Sequence, residues 1–525
     1  MTSTFPPRTK HLGPKLVAYL LGNDVDQASR MLNGDLPLTN EQSAVVGACE
    51  DYLTQIALGR QGNPVLEYHD IMTLASSLSA NERSLFSELI LTPGASDNPM
   101  IDATESALLA ICAECFPFTL LPNDASNRFL GSFNFPHFFG TKKLAAFIEA
   151  VRADPSIMKL FPNGAPDDLS HSRYIYTSFG NGFSTQLCML HANILQAAVA
   201  LMHMNGQSSV ADLQMHAIEM LHALRRLAEG EDIQLPIVET YDLMGLPLGT
   251  EITVGDGILK AIPDDFMRSI PSSAKPANDG NNNILGCMLI RSVNFSTFLA
   301  RPDFEHELGD DWPLEMTKFR TDDFDVVSLA TGLALDETKS TAARPRATIT
   351  IDPLNGIGQS WSTSIVTLGT HQLATEAECE RVQELVDQIE GLETKPIQTA
   401  AKRFIGALIN RNDVEDSLID AVIGLESLFG ARAEIAFHVS SGVSRLLGKD
   451  ADEREELFKS TKRIYDARSK IVHGSQKDLK KINVPAVRKR ALSDLKKCIG
   501  TLKETRQDLL DLDTARRVQA LVLGD

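Results

Sequence analysis

The chain has 525 residues, more than one apolar core usually fills, so two or three domains are expected. Hydrophobic residues make up 43% and charged residues 23%, which is ordinary for a globular protein, and seven cysteines over this length exclude a disulfide framework. The net charge of −19 argues at first against a nucleic-acid partner, because phosphate binding needs positive potential.

Residues 15–230 read mainly as helices. Periodic segments cover 15–32, 103–115, 141–153, 185–204 and 210–228. Thr39-Asn40-Glu41-Gln42 has the form of a capping box opening a helix to Leu58, and Ser79 with Glu82 repeats it before 85–91. A Gly/Pro/Asn/aromatic stretch at 123–140 divides this region in two. The apolar run 187–204 contains His191, Asn193, Gln196 and His203, which predicts a buried helix and no membrane span. The N-terminus lacks a basic segment followed by an apolar one, so no signal peptide is expected and a cytoplasmic location is the default.

From about 234 to 370 the period shortens. Residues 251–254 and 258–262 flank Gly255-Asp256-Gly257 and predict a hairpin, and strands are expected at 284–291, 324–329, 347–351 and 364–368. Residues 272–283 form a polar loop. After 374 the helix period returns, with segments at 376–389, 397–410, 414–429, 435–447, 453–472 and 487–510. The expected fold is mainly α with a β-containing middle domain and a C-terminal antiparallel helical bundle. Its divisions are an N-terminal helical region at 1–232, a β-rich or α+β domain at 233–373, and the bundle at 374–525.

Charge is unevenly spread. From Pro396 onward there are 24 Lys+Arg against 19 Asp+Glu, and Arg468, Lys470, Lys477, Lys480, Lys481, Arg488, Lys489 and Arg490 face a single acidic residue, Asp478. A basic run is usually a solvated surface. Here it follows an arginine and a histidine, which favours phosphate contact. Cys112-Ala113-Glu114-Cys115 stands alone in an apolar setting and reads as core, not zinc. His216 and His222 have poor ligand spacing. No metal or cofactor is expected.

Arginine followed by histidine after four to six intervening residues occurs three times, and about two such pairs arise by chance in this composition, so context decides. Arg301 and His306 lie in an acidic, proline-containing stretch. Arg432 and His438 open a helix in which His438 is expected to be structural. Arg468 and His473 differ: Leu457, Ile464 and Ile471 recur at heptad spacing with Ala467 beside them, Gly474 is a helix terminator, and His473 falls where the helix dipole favours a cation.

Four pieces of this region resemble, in order, the C-terminal domain of ApeA-like HEPN proteins. They are Arg411-Asn412-Asp413-Val414-Glu415-Asp416, the run 418–429 ending in Leu425-Glu426-Ser427-Leu428-Phe429, Ser444-Arg445-Leu446-Leu447-Gly448, and Ile464-Tyr465-Asp466-Ala467-Arg468-Ser469-Lys470-Ile471-Val472-His473-Gly474. The resemblance covers about the last quarter of the chain. It implies a four- to five-helix HEPN bundle that dimerises, a metal-independent endoribonuclease activity, and a role as effector in antiphage defence by abortive infection.

On this sequence the resemblance implies Arg468 and His473 as the catalytic pair, with Glu426, Asp466 and Ser469 supporting them. Many HEPN nucleases carry Asn, Asp or His after the arginine, where this chain has Ser469. Lys470, Lys477, Lys480 and Lys481 are the expected RNA-binding residues, for tRNA or mRNA. The N-terminal region is expected to sense a phage-derived trigger or to restrain the bundle. Two alternatives are a non-catalytic dimerisation or RNA-binding module and a toxin held by a separate antitoxin.

Overall fold

The computed structural model describes Pro6 and residues 8–58, 85–91, 102–121, 142–161, 172–177, 182–271, 274–276, 286–299, 325–334, 342–362, 372–390, 397–411, 413–431, 433–474 and 481–524. The expected cap at Ser79, the stretch 123–140, the strand at 364–368 and most of the loop 272–283 lie outside these residues. The described chain is mainly helical, with an antiparallel sheet in its middle region.

Local sequence sets the helix starts. The segment 15–32, expected as one helix, is two, α1 (Gly13–Leu21) and α2 (Val25–Asn33). Gly22 takes a left-handed φ of 65°, and the Asp24 carboxylate accepts from the Gln27 N–H at 2.7 Å. The capping box before α3 (Asn40–Leu58) forms as read: the Thr39 N–H donates to Gln42 Oε1 at 3.0 Å and the Gln42 N–H to Thr39 Oγ1 at 3.2 Å. Then follow α4 (Ala103–Thr119), α5 (Lys142–Ala153), α6 (Leu190–Met204) and α7 (Val210–Ala228). The stretch 187–204 is long and apolar enough to cross a membrane, and 83% of it is buried inside the protein.

Helix α6 starts five residues later than expected, because 182–186 pairs as a strand. It is β2 (Gly182–Gln186), antiparallel to β1 (Ser172–Thr177). The remaining strands are β3 (Ile233–Asp242), β4 (Met244–Gly245), β5 (Glu251–Val254), β6 (Gly257–Ala261), β7 (Gly286–Phe295), β8 (Thr297–Leu299), β9 (Arg344–Asp352), β10 (Gly356–Ser362) and β11 (Gln372–Leu373). The main sheet runs β10-β9-β3-β7-β6-β5 with every neighbouring pair antiparallel. The predicted hairpin is present: Val254 faces Gly257 across a two-residue turn in which Gly255 has φ 58°.

Burial along β3 shows how the sheet is covered. Ile233, Leu235 and Ile237 are buried with Gln234 exposed between the first two, and they join the apolar core of α6 and α7; Thr240, Tyr241 and Asp242 are all buried. Tyr241, Cys287 and Leu289 belong to the second core, which continues into the C-terminal helices. The middle segment thus shares two cores and buries Asp242 against Arg344 in a bidentate pair at 2.8 and 2.6 Å.

The strand expected at 324–329 is instead α8 (Val326–Ala334). The Asp325 carboxylate caps it by accepting from the Ser328 N–H at 2.8 Å, and residues 327–333 are all buried, so no periodicity marks it as a helix.

At the end of β9 the buried Asp352 accepts the N–H groups of Leu354 (3.0 Å) and Asn355 (2.8 Å) on one carboxylate oxygen. Burial pushes its pKa up to about 6, against those two hydrogen bonds. A raised folded-state pKa gives a contribution fully present below the unfolded value and lost as pH rises through about 6. Asp352→Asn, whose amide oxygen accepts both bonds, should therefore raise stability above pH 6 by at most about 3 kcal/mol and flatten the pH dependence between about 4 and 6. Urea titrations from pH 4 to 8 check this; an unchanged profile would show that the carboxylate is not strained.

The C-terminal part holds α9 (Glu376–Glu390), α10 (Gln398–Ile405), a π turn (Gly406–Asn410), α11 (Val414–Phe429), α12 (Ile435–Leu447), α13 (Ala451–Val472), α14 (Val484–Glu504) and α15 (Thr514–Leu523). Asp413, Asp450 and Asn483 cap α11, α13 and α14 through their side chains. One pair departs from the expected antiparallel arrangement. Ser417 meets Arg488 and Gly424 meets Leu495, the same offset twice, so α11 and α14 run in parallel. The segment expected at 487–510 ends as a helix at Glu504, and α15 is an addition the sequence reading lacked.

The π turn has a definite cause. The Ala407 carbonyl leaves the helical ladder to accept from Ser417 Oγ at 2.6 Å and Arg488 Nη2 at 3.1 Å, while the Arg411 N–H closes on Gly406 O at 3.1 Å. Arg488 and Arg490, counted in the basic run, are thereby engaged with protein: Arg488 through Ser417 and Ala407, Arg490 in an ion pair with Asp494 at 2.9 Å. Burial lowers the Arg488 pKa.

Candidate functional site

The Arg/His segment ends α13. Leu457, Thr461, Ile464 and Ala467 are buried at helical spacing and Ile471 packs against the same core, so one face of the helix is fixed to the bundle. His473 is the C-cap, its N–H donating to Ser469 O at 3.0 Å, and Gly474 follows in the left-handed region with φ 67°. The terminator read from sequence is therefore in place.

The two side chains have different surroundings. Arg468 is half-buried on α13, and its Nε is buried with no hydrogen-bond partner. It makes no ion pair among the described residues. Tyr465, one turn earlier, brings it together with Glu426 of α11. The phenol oxygen is buried without a hydrogen bond of good geometry, and its pKa is pushed up by burial first and the Glu426 carboxylate second, against the Arg468 guanidinium. Glu426, placed in a supporting role by resemblance, thus joins Arg468 through a tyrosine to which the sequence reading gave no role. Its only sequence signal was its place within the quoted segment.

His473 is exposed, with no hydrogen bond from its imidazole among the described residues. Five residues of helix separate it from Arg468, about 140° of rotation and about 7.5 Å of rise. The pair therefore does not share one helix face within a single chain. Asp466 and Ser469 are exposed, Lys470 is half-buried and Lys481 is exposed. Lys477 and Lys480 lie outside the described residues, as do Arg301, His306 and Arg432. His438 is half-buried with an unpartnered Nδ1 and packs edge-on to Phe437 at 6.1 Å, in keeping with a structural role.

Cys112 and Cys115 are buried in the core with their thiol pKa values driven up by burial. His216 and His222 contact Glu219 and Gln207, and Glu105, respectively. No group of three His, Cys, Asp or Glu side chains suited to a metal ion occurs among the described residues.

No protein-family model, curated protein or solved structure matches the chain.

Proposed function

We propose that the chain is a metal-independent endoribonuclease of the HEPN type, cytoplasmic, acting as the effector of an antiphage abortive-infection response. The observation that supports this best is a half-buried guanidinium, Arg468, without an ion-pair partner among the described residues, five residues before an exposed imidazole at the helix tip.

RNA carries its own nucleophile, the ribose 2′-hydroxyl. His473 takes or returns a proton, and Arg468 holds the phosphorane, since guanidinium donates to phosphate in a fixed fork and keeps its charge. One Arg and one His supply half of an acid/base set, and they face different sides of α13. A homodimer through the bundle supplies two of each across a twofold axis. The products are a 2′,3′-cyclic phosphate and a 5′-hydroxyl. Glu426, with Tyr465, orients Arg468; Asp466 and Ser469 line the exposed side; Lys470, Lys477, Lys480 and Lys481 contact the RNA backbone. The N-terminal region senses a phage product or shields the bundle.

The test is purified protein with total RNA in EDTA, with end mapping. Cyclic-phosphate ends that require both residues support the reading. A second reading is favoured by the placement of Arg468 beside Tyr465 and Glu426, away from His473: a non-catalytic dimerisation or RNA-binding module. It expects growth upon expression to be independent of His473, whereas the nuclease halts growth through it.

A further inference from the structure

A cavity of about 430 Å³ opens beside the π turn, lined by Thr399, Lys402, Arg403, Asn410, Arg411 and Asp420. At its base is Asp420, a buried carboxylate whose two oxygens are both taken: Oδ1 accepts from Arg403 Nη1 at 2.6 Å and Oδ2 from Arg411 Nε at 2.7 Å. Each guanidinium spends one donor on the carboxylate. Arg403 Nε and Nη2 and both Arg411 Nη atoms have no protein partner among the described residues, and the two side chains are 42% and 45% exposed.

Within the cavity lining two guanidiniums face one carboxylate, and the Asp416 carboxylate acts on Arg411 from outside it, in a chain whose total is −19. The shared carboxylate fixes both forks, so little side-chain entropy remains to be lost when an anion binds. The Ser417 and Arg488 contacts to Ala407 hold the turn from behind. The lining contains no aromatic side chain, so a base has nothing to stack on, while Thr399 and Asn410 offer hydrogen bonds to phosphate or sugar oxygens.

We propose that this cavity is a phosphate-binding subsite for the sugar–phosphate backbone of an RNA strand, with Arg403 and Arg411 as its contacts. The phosphate chemistry stands on the cavity; the strand as its source rests on the RNA reading above.

The test is binding of a fluorescent 2′-O-methyl 12-mer by the full chain across a range of salt, with inorganic phosphate and AMP as competitors. Arg411→Gln leaves Arg403 on Asp420 and should weaken binding about 5–10-fold and lower the slope of log K against log salt by about 0.7, the single-strand value for one phosphate contact. Arg403→Gln, which leaves Arg411 on Asp420, should do the same and serves if Arg411→Gln misfolds. Unchanged affinity and slope in both variants would overturn the proposal, as would no binding of the oligonucleotide at all. AMP binding more tightly than the oligonucleotide, and lost in Arg411→Gln, would overturn the strand in favour of a mononucleotide. Because 2′-O-methyl RNA lacks the nucleophile, cleavage is not read. A chain that binds with the expected slope but never cuts RNA keeps this subsite and loses the nuclease reading.

Discussion

Alanine at position 473 is expected to reduce RNA cleavage in EDTA by about 10²–10⁴-fold, the usual contribution of a positioned proton-transfer group. The fold should be indifferent to it, because His473 is exposed and terminates α13 through its backbone, which alanine supplies equally. Loss of activity with an unaltered melting curve therefore reports chemistry. Arg468→Lys is the companion: it keeps the charge and loses the fork, so activity should fall less than in Arg468→Ala while neither changes the oligomeric state. Mixing the His473→Ala and Arg468→Ala proteins should not restore full cleavage, since a mixed dimer would hold one Arg and one His, half of the proposed set. Full cleavage by His473→Ala protein would reject the histidine assignment.

The largest stability effect is expected at Arg517. It is only 2% exposed, and its guanidinium donates to the carbonyls of Leu509 (2.9 Å), Leu428 (2.9 Å), Leu510 (3.5 Å) and Leu512 (3.0 Å). Leu428 lies in the last turn of α11, where helical carbonyls lack ladder partners, so this one side chain caps α11 and pins α15 to it. Burial lowers its pKa, against the Asp513 carboxylate. Arg517→Ala leaves buried acceptors unpaired and a void, which should cost about 3–5 kcal/mol. Arg517→Met refills the volume without the donors and should recover only part. Hydrogen exchange in α11 and α15, with denaturant melts of the full chain, measures both. A change below about 1 kcal/mol for Arg517→Ala would mean that water replaces the donors.

Much of the fold was legible where a short-range rule acts. Thr39 with Gln42, Gly255 and Gly474 each meet a local backbone need that the residue type answers by itself. The C-terminal helix stripes were legible too, because one face meets solvent and the other a core. Legibility failed where burial surrounds an element: 326–334 has no exposed face to supply a period, and so looked like a strand. It also failed at 15–32, where two helices continue one apolar period across Gly22-Asn23-Asp24.

The candidate site divides in the same way. Gly474 and the stripe through Ile464 and Ala467 showed in sequence that a helix ends at His473. That Glu426 of α11 would join Tyr465 and Arg468 of α13, or that Arg403, Arg411 and Asp420 would enclose a cavity, depends on how separate elements pack and is not set within one stretch of chain.

By itself the sequence determined the local events: caps, turns, the mainly helical composition with a β segment, and an arginine and histidine near one helix end. Tertiary structure alone decided that α11 and α14 run in parallel, that the sheet serves two cores, and that Arg488 of the basic run is turned to protein contacts. The reason is range. Caps and periodicity are settled within a turn or two of chain, whereas a side chain's electrostatic surroundings depend on which distant helix packs against it.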